Sequence, residues 1–127
     1  MKKLIAMILV LALAVTSMGI SAFAYSDVRY GTYEGVNWIA RLNRNGLIVT
    51  SNFKLTNIDQ QKSMVSNFTA IKISEKNRPT PYWHELGGWN MGSCSVGFDY
   101  SQSGNNTKIL DSRITYSYKS LSGTFYV

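Results

Sequence analysis

Among the side chains able to do chemistry, the densest grouping is Tyr82-Trp83-His84-Glu85, followed closely by Trp89 and Asn90. It contains the chain's only His and two of its three Trp. Flat aromatic rings beside a carboxylate, an imidazole and an amide suit stacking on sugar rings or on a partner's apolar patch. The same residues have a plainer use, because Trp83 and Trp89 folded inward would pin the segment down as a satellite core. Bond-breaking chemistry is harder to assemble. Cys94 and His84 make a nucleophile and base on paper, yet Cys94 falls on the expected inward face of a strand, where a thiol is buried and inert. A Ser-His-acid triad could draw on many serines with His84 and Glu85, but no G-x-S-x-G elbow singles one out. No metal site and no cofactor is expected. One His and one Cys do not furnish a zinc site, and Asp27, Glu34, Asp59, Glu75, Glu85, Asp99 and Asp111 are dispersed.

The elements that would position these residues read as β throughout. After position 24, Ser, Thr and Asn supply 31 of 103 residues and aromatics 15, the composition of pleated, half-buried sheets rather than helices. Asn45-Gly46 is the strongest hairpin signal, since a type I′ turn needs positive φ at both central residues. As a two-residue loop it sets Leu42 opposite Val49, Ala40 opposite Ser51, Trp38 opposite Phe53 and Val36 opposite Leu55. Those eight share one face and seven are apolar, so turn and pattern agree. A second hairpin around residues 104–106 would set Tyr100 opposite Leu110, Phe98 opposite Ser112, Val96 opposite Ile114 and Cys94 opposite Tyr116. Residues 64–74 predict a further strand, residues 30–33 a short first one and residues 124–127 a last one. The alternation stops over residues 75–92, which hold both prolines and the aromatic grouping, and this stretch reads as a long functional loop. The expected fold is a small antiparallel β-sandwich of about six to seven strands.

Residues 1–24 read as a secretory signal peptide. Lys2 and Lys3 form the positive region, residues 4–15 an unbroken apolar run, and Ala22-Phe23-Ala24 a small-x-small cleavage pattern. The apolar run is shorter than the roughly 20 residues a membrane-spanning helix requires, so no stable membrane insertion is expected after cleavage. A single domain, residues 25–127, would remain. Its charge falls from +6 to +4, with the basic residues scattered rather than clustered, which argues against nucleic acid as a partner. Cys94 has no second Cys to pair with in the chain, leaving a buried thiol or a disulfide-linked dimer.

With an Ala22-Phe23-Ala24-Tyr25-Ser26 junction, Tyr30-Gly31 followed by Gly35, and an aromatic and Ser-rich end over residues 117–127, the chain resembles small exported all-β proteins of Gram-positive bacteria that have no assigned function. That resemblance implies location and fold. It also resembles lactococcin-972-like bacteriocins, small cationic β proteins with leaders, but lacks their His-rich N-terminal region and ends at Phe125-Tyr126-Val127. The expected function is therefore a secreted, non-enzymatic domain that binds cell-wall polysaccharide, another carbohydrate or a surface protein through the aromatic loop 82–89. An antibacterial protein is the alternative, and a small hydrolase the least favoured.

Overall fold

The computed structural model describes residues 24–59, 62–104 and 106–127. The signal peptide expected over residues 1–24 lies outside the described residues except for Ala24, which opens the first strand. Eight strands follow in order: β1 (Ala24–Tyr33), β2 (Val36–Asn45), β3 (Ile48–Leu55), β4 (Met64–Ser74), β5 (Tyr82–Met91), β6 (Ser93–Asp99), β7 (Lys108–Tyr118) and β8 (Leu121–Tyr126). They form two four-stranded antiparallel sheets. Sheet A has the order β1-β2-β3-β6 and sheet B the order β5-β4-β7-β8. The two share one core in a sandwich-like arrangement.

The core is written by period-two alternation. Ala40, Leu42, Val49, Phe53 and Leu55 of sheet A meet Val65, Ile71, Ile73 and Ile114 of sheet B, all fully buried. An aromatic cluster closes one end, with Phe53 stacked on Tyr116 at 4.8 Å between centroids and Trp38 5.2 Å from Tyr116. With no disulfide among the described residues, this burial carries the stability, at roughly 1.5–3 kcal/mol per large side chain.

The β2–β3 hairpin keeps the expected inward face but not the expected register. Its partners are Leu42 with Ser51 and Ala40 with Phe53, one pair displaced, because the two loop residues are Gly46-Leu47. Gly46 alone has positive φ (59°), the II′ pattern, whereas type I′ would have required it at Asn45 too. The type I′ pattern sits at Glu34-Gly35 instead (φ 49° and 78°), and it pairs β1 with β2 over ten residues. The first strand is thus far longer than residues 30–33.

Two larger corrections concern topology. β6 and β7 are not a hairpin: β6 pairs with β3 in sheet A and β7 with β4 in sheet B, so Asp99 and Lys108 end up in different sheets. Residues 75–92 are not one loop either. Only residues 75–81 and Gly92 lack regular structure, and β5 lies along β4 in unbroken register. As an edge strand it alternates between solvent and the sandwich's open side, so neither of its faces needs the apolar run that marks a core strand.

Where β3, β4 and β6 converge, the core admits a polar ring. Thr69 Oγ1 donates to Asn67 Oδ1 (2.8 Å), and Asn67 Nδ2 donates to Ser51 Oγ (2.9 Å) and to the Cys94 carbonyl (3.0 Å). Thr69 has spent its one proton, so the 2.6 Å contact between Ser51 and Thr69 is closed by the Ser51 hydroxyl. Asn67 is fully buried, and its Asn67-Phe68-Thr69 sequon is closed to glycosylation in the folded chain.

Candidate functional site

The aromatic grouping is divided by the pleat of β5, because successive side chains point to opposite faces. Trp83, Glu85 and Trp89 project from the outer face of sheet B, while Tyr82 and His84 turn toward the other sheet. His84 packs edge-on to Phe98 of β6 with centroids 5.7 Å apart. Tyr82 anchors the preceding loop: its hydroxyl donates to Glu75 Oε1 (3.2 Å), and the Arg78 guanidinium lies 4.0 Å above its ring. Asn90 closes the crossing to β6 by donating to the Ser93 carbonyl (2.9 Å), and the chain then turns at Gly92 (φ 69°). Six residues close in sequence therefore do four jobs.

The outer face gathers residues that were not grouped with the tryptophans. Cross-strand pairing sets Phe68 opposite Gly87, Ser66 opposite Trp89 and Met64 opposite Met91, with Arg113 and Tyr126 farther across the sheet. Trp89 is 63% exposed and Trp83 38% exposed, and Met64, Met91 and Tyr126 are exposed as well. Arg113 stacks 4.6 Å over one face of Trp83 and reaches Glu85 at 3.8 Å, while Tyr126 meets Trp83 edge-on at 6.4 Å. Trp83 is thereby held in place with one ring face covered, and Trp89 stands free. Trp89 is six residue steps along the strand from Trp83, about 20 Å along the sheet. Between them the floor is low: Ser66 and Ala70 are buried and Phe68 half-buried. Gly87 lets β5 lie close against β4 here, because a Cβ there would overlap the Asn67 carbonyl oxygen and Phe68 Cα. The missed signal was the second face of β4, where Met64, Phe68 and Ala70 alternate with the core residues.

Beside Trp89, a cleft of about 370 Å³ opens between residues 86–89 of β5 and residues 94–97 of β6. Cys94 lies at its base, 7% exposed, with Sγ 3.6 Å from the Gly88 carbonyl. Burial pushes the Cys94 thiol up, so it stays protonated and is a poor nucleophile. Gly88 is four residues along β5 from His84, about 13 Å, which leaves that imidazole beyond hydrogen-bonding reach of the sulfur. At 7% exposed, the Cys94 thiol offers little surface for a disulfide to a second chain. A larger hollow of about 530 Å³ lies on sheet A, around Tyr30, Trp38 and Thr56, and no charged side chain lines it. Among the described residues no three His, Cys, Asp or Glu side chains come close enough to hold a metal ion, and no helix is long and apolar enough to cross a membrane.

The chain matches no family model, and no curated protein or solved structure shows significant similarity to it.

Proposed function

We propose that this protein is an exported, non-catalytic module that binds a polysaccharide along the outer face of sheet B. One observation carries the reading: Trp83 and Trp89 stand on the same face of one strand, exposed and about 20 Å apart, with Glu85 and Phe68 on the same face between them. A soluble domain gains nothing from displaying two Trp and two Met on a contiguous face, and such patches mark interaction surfaces. The spacing suits an extended ligand better than a small one, since no single sugar ring reaches both indoles. Stacking would supply affinity, and Glu85, Arg113 and Lys72 beside Trp83 would supply hydrogen bonds at the rim. Cell-wall polysaccharide fits the export expected from the N-terminal residues.

Sedimentation of the purified chain with insoluble peptidoglycan, chitin and cellulose tests this at low and high salt. Retention should persist at about 1 M salt, where a Debye length of about 3 Å leaves charge attraction little reach. Trp89→Ala should weaken retention by about tenfold or more, as expected for an aromatic anchor worth at least 1.4 kcal/mol, without loss of fold. Retention unchanged by Trp83→Ala and Trp89→Ala together, or lost entirely at high salt, would refute the assignment.

A further inference from the structure

We propose that β1 is a dimerisation edge at which two copies of this chain pair their sheets A antiparallel about a two-fold axis at Val28. Among the described residues β1 is an outer strand of sheet A, with β2 on one side and no strand on the other. The two-residue turn at Glu34-Gly35 makes Tyr33 and Val36 a mutually hydrogen-bonded pair, so the odd-numbered residues of β1 spend their backbone groups on β2. Ser26, Val28, Tyr30 and Thr32 therefore direct N–H and C=O outward. The Val28 N–H shows this directly, since its acceptor is its own neighbour, Asp27 Oδ1, at 2.8 Å.

This edge lacks most of the devices that keep strand edges apart. It has no Pro and no Lys, and its register with β2 runs through ten pairs without a bulge, leaving it long and regular. Its two charges, Asp27 and Arg29, flank Val28 symmetrically and are opposite in sign. Antiparallel pairing with Val28 opposite Val28 of a second copy sets each Asp27 opposite the other copy's Arg29, in the closer, non-hydrogen-bonded positions of the ladder. Any other copy-to-copy register loses that match. Within one chain the two charges already pair at 2.8 Å while remaining substantially exposed, so dimerisation exchanges partners without stranding a charge. The outward row also explains two conspicuous side chains. Tyr30 is 79% exposed and Val28 39% exposed, and in the paired sheet each would lie beside the other copy's Ser26 or Val28 on one continuous face. The occupant that fits is thus a second copy, selected by a self-complementary charge order.

Sedimentation velocity from micromolar to millimolar protein tests this. The wild-type chain should shift reversibly from monomer to dimer. Val28→Pro, at a residue whose N–H β2 does not use, should weaken the dimer by about tenfold or more by removing the central donor from both copies. Asp27→Arg alone and Arg29→Asp alone should each be monomeric, because like charges then face each other across the axis. Mixing those two variants should restore a dimer containing one of each, and circular dichroism on each variant confirms that it is folded. A chain that stays monomeric at millimolar concentration would overturn the proposal. So would a dimer that survives all three substitutions, or two charge variants that fail to recombine.

Discussion

The polar ring of Ser51, Asn67 and Thr69 makes a prediction whose size follows from counting protons. In Ser51→Ala the ring loses the acceptor for one Asn67 N–H, leaving a single buried orphan. In Thr69→Val it loses both the donor to Asn67 Oδ1 and the acceptor of the Ser51 hydroxyl, leaving two. In the double variant only Asn67 is left to suffer, with one N–H and its Oδ1 unpaired, so again two. At about 1.5 kcal/mol per buried orphan, the expected losses are about 1.5, 3 and 3 kcal/mol, where simple addition would give about 4.5. The shortfall of about 1.5 kcal/mol is the coupling to be measured. Urea unfolding followed by tryptophan fluorescence resolves it, since a loss of 1.5 kcal/mol moves the midpoint by about 0.5–1.5 M for an m-value of 1–3 kcal/mol/M. Double-variant losses that add to within about 0.5 kcal/mol, or a Thr69→Val no worse than Ser51→Ala, would show that the protons do not run in this direction.

Two further outcomes are expected. Gly87→Ala should cost about 2 kcal/mol or more in urea unfolding, because its Cβ meets the backbone of Asn67 and Phe68, which has no rotamer to escape into; Gly97→Ala, with open space above it, should stay within about 0.5 kcal/mol, and equal costs for the two would contradict the close approach of β5 to β4. Cys94 should resist alkylation at neutral pH in the folded chain and react fast only in urea. Its thiol is held up by burial, so the folded state binds that proton more tightly than the unfolded one, and stability should be level through neutral pH and decline from about pH 8.5 upward as the unfolded thiol ionises first. Tyr116, raised in the same direction by burial, would extend that decline to higher pH, and a stability that rises there would refute both.

The composition and the alternation of apolar residues were sufficient for an all-β chain and for the inward set of β2 and β3, because facing is a property of each strand alone: Leu42, Val49 and Phe53 point inward in either register. The pairing of strands is not local. The tight turn at Asn45-Gly46 fell one residue later than the dipeptide suggests, since only Gly46 adopts positive φ, and the whole ladder followed. Nothing in residues 94–116 distinguishes a hairpin from a crossing, because both use the same alternating strands and the same turn residues. What decides is that β6 pairs with the edge of β3 and β7 with the edge of β4, partners far from residues 94–116 in sequence.

The candidate site divides in the same way. Residue type singled out Tyr82, Trp83, His84, Glu85, Trp89 and Asn90 together, and of these Trp83, Glu85 and Trp89 share the outer face of sheet B. The grouping of Tyr82, His84 and Asn90 with them was adjacency in sequence, and the two-residue period of a strand separates such neighbours onto opposite faces. Conversely Phe68, Arg113 and Tyr126 lie far away in sequence and reach the same surface through three cross-strand pairings. The amino-acid sequence by itself determined which residues prefer a pleated sheet and which side chains are candidates for a binding face. Only the tertiary structure decided which of them share a face, because that depends on long-range hydrogen-bonded register, a choice no short window of sequence contains.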